Sequence, residues 1–364
     1  MESVNRCWRL ARRPIGHDYA RAFELRAEAV PHPRRGEVLV RNAYLSLDAG
    51  TRMRLTERSD SYDPPAPVGS ALQGHMLGTV AESDHPDYRP GQLLRFRGDW
   101  ADYSLLTPGD GKLLQSVSWT LPDPRQHLAA LGPNAWTAYV GVHEVGEARP
   151  ADTVVISAAS GVTGALAGQI AKLHGCRVVG ITGSSDKARW LTETLGFDDA
   201  IDRQADTDMS TALSTACPDG IDVYFENVGG PLLEAALGNM SDYGRIAICG
   251  LLVNYDKPVG LAGPANFDQI LMKRLKIAGF LSFDWYWRGP EINRTLRPWY
   301  DAGQLRMQFD ITEGLENAPD GYRRLFTGDK IGKSLVQISP LDPDNAEPIT
   351  DPAATKAVSA VGTS

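Results

Sequence analysis

The sequence predicts an α/β protein of two domains, a β-rich part followed by a doubly wound parallel sheet. Three observations carry this. Up to about residue 125, short apolar runs are broken by dense Pro and Gly, as in P-H-P-R-R-G-E and Y-R-P-G-Q, which marks strands joined by turns. From about Leu128, strand-length apolar runs alternate with helix-length segments, the pattern of a parallel sheet with crossover helices. Within that second part, Asp152 to Gly183 reads as strand, Gly-rich turn, helix, strand. A chain of 364 residues has ample core for two such domains.

In the first part, Val38 to Tyr44, Leu77 to Glu82, Gln92 to Phe96 and Ala101 to Leu106 are strand candidates. A helix is expected over Ala129 to Gly141. Strand Thr153 to Ser157, a helix from Val162 and strand Arg177 to Ile181 form the βαβ unit. The alternation continues through Asp186 to Leu195, Ala200-Ile201, Ser210 to Ala216, Asp222 to Glu226, Pro231 to Met240, Arg245 to Cys249 and strand Leu275 to Phe280. The chain then returns to the first domain through strand Met307 to Phe309, helix Ala318 to Phe326 and strand Lys333 to Ile338. The expected division is 1–127 with 302–339 for one domain and 128–301 for the other. From Pro340 the chain is rich in Pro, Asp, Ala, Thr and Ser without apolar periodicity, and is expected to be disordered.

Composition excludes several classes. A net charge of −8 without a basic block argues against nucleic-acid or anionic-membrane partners. Four scattered cysteines, Cys7, Cys176, Cys217 and Cys249, form no C-x-x-C and indicate neither a disulfide framework nor structural zinc. The start of the chain has no apolar h-region, so a cytoplasmic location is the default expectation. The uncharged stretch Thr153 to Ala171 is too rich in glycine and polar residues to read as a membrane helix.

The turn Ala158-Ala159-Ser160-Gly161-Val162-Thr163-Gly164 departs from a full G-x-G-x-x-G. Even so, a strand feeding small residues and a helix N-terminus can hold a pyrophosphate. An NAD site ends its second strand in an acid that takes the ribose hydroxyls. Here that strand ends in Thr182-Gly183-Ser184-Ser185, followed by Lys187, Arg189 and, further on, Arg203. Hydroxyls and cations in place of a carboxylate suit a 2′-phosphate, so NADP(H) is expected over NAD(H). From the turn alone, a crossover without ligand stays open.

Several motifs in order resemble one family. They are N-A-Y-L-S-L-D (Asn42 to Asp48), W-T-A-Y (Trp136 to Tyr139), S-A-A-S-G-V-T-G (Ser157 to Gly164), D-V-Y-F-E-N-V-G-G (Asp222 to Gly230), G-R-I-A-I-C-G (Gly244 to Gly250) with Asn254-Tyr255 after it, and G-L-E-N-A-P (Gly314 to Pro319). The chain resembles the zinc-independent branch of the medium-chain dehydrogenases/reductases, the prostaglandin reductases and alkenal double-bond reductases, over about residues 5 to 338. The resemblance implies a GroES-like β-rich catalytic domain, a Rossmann cofactor domain, NADP(H), a small enal or enone substrate and a homodimer. Zinc is not expected. The only cysteine before the cofactor domain is Cys7, and Gly74-His75-Met76 has Met where an acid would stand. Without a Lewis acid, alcohol oxidation loses its usual means of activating the hydroxyl.

The resemblance places Tyr255 as the catalytic donor to the oxygen of a developing enolate. It implies cofactor contacts at Asn134, Gly161, Val162, Thr163, Gly164, Gly183, Ser184, Lys187, Arg203, Asn227, Cys249, Tyr255, Phe280 and Ser282, and a substrate pocket involving Tyr44, Gly50, Tyr62 and Trp285. Three departures stand out. Asp48 is followed by Ala49-Gly50-Thr51-Arg52 rather than Pro-Tyr-Met-Arg, which should open the pocket or move its wall. Arg203 stands where the family has Tyr. Lys330 replaces an asparagine that would touch the cofactor. A quinone reductase, a zinc-independent NADP-dependent alcohol dehydrogenase and a cofactor-binding protein without turnover remain open at this point.

Overall fold

The structure, a computed structural model, describes residues 4–58, 60–110, 114–205, 208–255, 262–328 and 330–341. The expected disordered tail therefore lies, beyond residue 341, outside the described residues. In chain order the first half holds β1 (Val4–Leu10), α1 (Tyr19–Ala22), β2 (Phe23–Ala29), β3 (Val38–Ser46), α2 (Thr51–Arg54), β4 (Gln73–Ser83), β5 (Leu93–Asp99), β6 (Tyr103–Leu106) and β7 (Gln115–Ser116). Then come α3 (Pro133–Val140), β8 (Thr153–Ile156), α4 (Val162–Leu173), β9 (Arg177–Thr182), α5 (Ser185–Arg189), β10 (Asp199–Asp202), α6 (Met209–Ala216), β11 (Ile221–Glu226), α7 (Pro231–Asn239), β12 (Met240–Ile248), α8 (Gln269–Met272), β13 (Lys276–Gly279) and α9 (Gly289–Asp301). The chain ends in β14 (Phe309–Glu313), α10 (Ala318–Thr327) and β15 (Lys333–Gln337).

Two compact units result. One takes the chain up to Leu128 with Asp310–Lys330 and the segment from Ser334. The other takes Ala129–Phe309 and Ile331–Lys333. Ala302–Phe309 stays with the second unit for a physical reason. The Gln169 amide of α4 exchanges hydrogen bonds with the Arg306 backbone, at 2.9 and 2.8 Å.

In the first unit the strands run β14-β15-β3-β4-β5-β7, with β6 also on β3 and the β1-β2 hairpin separate. The core is aromatic: Tyr19, Phe23, Trp100 and Tyr322 pack with Leu10, Leu45, Leu55 and Phe96. Charged alternation such as Arg9 against Glu28 hides the β1-β2 hairpin from apolar-periodicity reading.

In the second unit six parallel strands run β10-β9-β8-β11-β12-β13. The chain steps outward from β8 to β10, then crosses back to lay β11 beside β8. The order therefore reverses between β8 and β11, and in open α/β sheets ligands bind beyond the strand ends at such a point. Strands β8, β9 and β11 are almost continuous runs of Val, Ile, Tyr and Phe because both their faces are covered.

Local chemistry moves several boundaries. The helix expected from Ala129 opens at Pro133, since proline suits a first turn and not an interior. After Val140 it widens into a π-turn, Gly141–Val145. The helix expected over Asp186 to Leu195 likewise becomes α5 followed by a π-turn, Trp190–Thr194. The strand expected at Met307 starts at Phe309. Helix α9, with Pro298 inside it, is hidden by its prolines. No helix among the described residues is long and apolar enough to cross a membrane.

Candidate functional site

The Gly-rich turn follows β8. Ala158 takes a left-handed φ of 49°, a conformation that costs a residue with a Cβ and is kept where the surroundings enforce it. Ala159 donates to Ile181 O at 2.9 Å, and Gly161 to Ala158 O at 3.0 Å. A Cβ on Gly164 would stand 2.7 Å from Ala158 O and 2.9 Å from Ala159 Cα. Only glycine lets the first turn of α4 come this close to the strand end. Helix α4 has Gly161 at its N-cap and no side-chain cap, so its first N–H groups and its dipole are available to an anion. A short parallel bridge joins Gly161 to Gly332, with Gly332 N donating to Ser160 O at 3.0 Å. A narrow turn with an uncapped, positively polarised helix end fits a pyrophosphate.

At the tip of β9 the Thr182 hydroxyl donates to Ser160 Oγ at 2.7 Å, which ties the second strand to the turn. Ser184 is the N-cap of α5, its hydroxyl accepting from Lys187 N at 3.4 Å. Arg203 N donates to Thr182 O at 2.9 Å, and its guanidinium lies over Gly183, Nε 3.5 Å from the place of a Cβ. Gly183, Ser184, Lys187 and Arg203 are thus gathered at one corner, at or beside the β9 tip. Arg189 is not part of it, because it pairs with Asp186 on the exposed face of α5. Asp202, at the end of β10, accepts from Ser185 Oγ at 3.1 Å and from Gln204 N at 3.0 Å. The donors present at this corner fit a phosphate.

The third group stands where β11 and β12 end. Asn227 N donates to Ser157 Oγ, and Asn227 Nδ2 to Ser157 O, both at 2.7 Å. Cys249 N and Gly250 N donate to Glu226 O at 2.9 and 3.1 Å. Burial, then the nearby Glu226 carboxyl, pushes the Cys249 thiol up to about 12, so it is a protonated, unreactive thiol at neutral pH. Leu252 to Asn254 form one 3₁₀ turn that brings Tyr255 back over the strand ends. A Cβ on Gly250 would stand 2.8 Å from the Tyr255 hydroxyl and 3.4 Å from Asn227 O. The phenol therefore rests on the Gly250 backbone, on the same edge of the sheet as the Gly-rich turn.

Other expected residues are elsewhere or otherwise engaged. Phe280 meets Phe225 edge-on at 6.4 Å, and a Cβ on Gly141 would stand 2.8 Å from its ring. Its backbone donates to Ile248 O at 3.3 Å, at the end of β12. Ser282 Oγ donates to Tyr286 OH at 3.3 Å. Trp285 lies under the Arg288 guanidinium at 5.7 Å. Asn134 is in the first turn of α3.

Three expected pocket residues belong to the first unit. Tyr44 sits on a central strand, 8% exposed, and its hydroxyl donates to Gln337 at 3.1 Å. Gly50 opens α2, and the Tyr62 hydroxyl lies 3.4 Å from the place of its Cβ. The Tyr62 hydroxyl thus borders the space beside Gly50. Gly74 has a packing reason, since a Cβ there would meet Leu45 at 2.7 Å and Trp100 Nε1 at 2.9 Å. Its neighbour His75 lies within β4, opposite Arg97. Among the described residues no group of three or more His, Cys, Asp or Glu could hold a metal ion.

Sequence reasoning missed Ser157, Glu226 and Gly332. The first two end adjacent strands, and that adjacency was the available signal. The pairing of Gly332 with the turn left none.

Fold and turn together define a class, an oxidoreductase built on a doubly wound nucleotide-binding unit. Residues 6–117 match the family described as the N-terminal domain of oxidoreductase, and residues 162–295 the zinc-binding dehydrogenase family. The chain is 38% identical over 344 residues to an NADPH-dependent curcumin reductase of Escherichia coli, covering 92% of this chain and 97% of that protein. It is 39% identical over 303 residues to a 2-alkenal reductase (NADP(+)-dependent) of Nicotiana tabacum, covering 83% and 88%. The crystal structure of CurA in complex with NADPH from Vibrio vulnificus matches with a TM-score of 0.85 at 35% identity, covering 92% of this chain and 99% of that one. The chain belongs to the medium-chain dehydrogenase/reductase family, in its zinc-independent branch of NADPH-dependent reductases.

Proposed function

We propose that this protein reduces the C=C bond of small α,β-unsaturated aldehydes and ketones with NADPH. The residues fit the dinucleotide. The α4 N-terminus at Gly161, Val162, Thr163 and Gly164 would hold the pyrophosphate, and Gly183, Ser184, Lys187 and Arg203 the 2′-phosphate. Asn227 and Cys249 would line the path toward the reacting end. When bound, NADPH supplies a hydride to the β-carbon of the substrate.

The chain's own part is electrostatic. Negative charge grows on the carbonyl oxygen as the double bond is reduced. A donor fixed at that oxygen lowers the barrier, and one such donor is worth about 2–4 kcal/mol. Tyr255 is the donor in this reading. Its phenol, set beside the Gly250 backbone, donates to the enolate oxygen and can then help pass a proton toward the α-carbon. The observation that carries the reading is the Tyr255 hydroxyl lying against Gly250 at the carboxyl ends of β11 and β12, in the sheet that bears the glycine turn. The relatives' named activities support it. The test is NADPH oxidation with 2-hexenal, a cyclic enone, a quinone and an alcohol, for the wild type and Tyr255→Phe. Enal and enone turnover should fall about 30- to 1,000-fold in the variant. An unchanged enone rate, or turnover of the quinone alone, would replace this reading with a quinone reductase.

We further propose a homodimer formed through the outer strand β13. Among the described residues it pairs only with β12. Phe267, Leu271 and Met272, shortly before it, are 64%, 73% and 58% exposed.

A further inference from the structure

Glu226 is a carboxylic acid with no exposed surface, at the end of a central strand. It stands at the point where strand order reverses, beside Ser157 at the end of β8. One of its oxygens does all the visible work. Oε1 accepts from the Ser157 hydroxyl at 2.7 Å and from Val228 N at 2.5 Å. The other, Oε2, is enclosed and has no hydrogen-bond partner. The groups facing this carboxyl are Ser157 from β8, Tyr224 from its own strand, the Val228 and Gly229 N–H groups from the turn before α7, and Cys249 from the end of β12. None is a cation. Burial pushes the carboxyl up, against the pull of these N–H and O–H donors. A buried carboxylate without a cation is costly unless its oxygens are held by donors such as these.

The bonds continue outward from there. The Ser157 oxygen that donates to Glu226 accepts from Asn227 N at 2.7 Å, and Ser157 O accepts from Asn227 Nδ2 at 2.7 Å. Glu226 O holds the Cys249 and Gly250 N–H groups. Asn227 O and Val228 O accept from Leu252 N and Val253 N, both at 3.1 Å, in the turn that leads to Tyr255, whose hydroxyl lies beside Gly250.

We propose that Glu226 is a positioning residue: a buried acid whose carboxyl locks the turns after β8 and β11 together, and through them the turn after β12, and so fixes the seat of Tyr255. The functional half of this rests on the enone-reductase reading above. The structural half does not. Glu226→Gln keeps a carbonyl oxygen at the position of Oε1 and carries no charge, so it should retain the lock. Glu226→Asp withdraws the carboxyl by one methylene and should break it.

Two measurements test this on the full chain. The first is amide hydrogen exchange without cofactor over residues 157–162, 226–230 and 249–255. Exchange should accelerate about tenfold or more in the Asp variant and stay near wild type in the Gln variant. The second is steady-state reduction of 2-hexenal. The Asp variant should lose about tenfold or more in kcat with a smaller change in KM, and the Gln variant should stay within about threefold with an unshifted pH profile. Exchange unchanged in the Asp variant would overturn the lock. A Gln variant as impaired as the Asp variant would show that the ionisable group itself is needed, and would overturn a role confined to positioning. If the wild type reduces no enone while exchange behaves as stated, the lock stands and the enone reading alone fails.

Discussion

The Tyr255 hydroxyl lies 2.8 Å from the point where a Cβ on Gly250 would stand. That is closer than a carbon and an oxygen approach without a hydrogen bond, so position 250 tolerates no side chain while the phenol keeps its place. Gly250→Ala should displace the phenol and leave the strand intact. Enone turnover should fall about tenfold or more, while NADPH binding, read by fluorescence titration, changes little. Equal losses in binding and turnover would mean that the strand end has moved instead.

Arg203 crosses over Gly183, and Lys187 begins beside the Ser184 cap. If both face the 2′-phosphate, Lys187→Ala and Arg203→Ala should each raise KM for NADPH about tenfold or more and leave KM for NADH nearly unchanged, since a charge-assisted hydrogen bond contributes about 1.5–3 kcal/mol. Equal effects on the two cofactors would remove the phosphate assignment.

His143 lies in the π-turn after α3, its ring 4.6 Å from that of His174. Burial, then the His174 charge, lowers its pKa to about 4. The folded state thus keeps it neutral where an unfolded chain, with a histidine pKa near 6.5, takes up a proton. Below that value the unfolded state binds more protons, so this group's contribution is intact above about pH 6.5 and declines as pH falls toward 4. The slope should be at most about 1.4 kcal/mol per pH unit. Urea unfolding of His143→Asn between pH 7 and 5 should lack this part of the slope. An identical slope in the variant would assign the acid sensitivity to other groups.

The proposed dimer makes a separate prediction. Light scattering at micromolar protein should give twice the chain mass. Leu271→Glu with Met272→Glu should shift the species toward the monomer, because charge in an apolar interface is strongly disfavoured. A wild-type monomer under these conditions would dispose of the β13 contact.

How much of this was legible in the residues depends on the range of each interaction. The βαβ unit could be read because its causes are local: an apolar strand at Thr153–Ile156, small residues through Gly164, and a helix opening at Val162. The missing acid at the tip of β9 is a matter of residue type alone. The hairpin β1-β2 could not be read in the same way, because Arg9, opposite Glu24 in the ladder and ion-paired with Glu28, gives no apolar signal. The partner of the Tyr44 hydroxyl could not be read either, because Gln337 comes from β15, about 290 residues later in sequence.

The sequence by itself determined the kind of sheet, the phosphate-binding turn and the presence of a phenol after β12. Each depends on neighbours within a few residues, where backbone preference and side-chain size decide. Only the tertiary structure decided that Ser157, Glu226, Asn227 and Gly250 meet, that Gly332 pairs with the turn, and that Arg203 covers Gly183. Those contacts arise when parallel strands are laid side by side. Strand pairing joins residues far apart in the chain, and no local pattern records which partner each buried polar group will find.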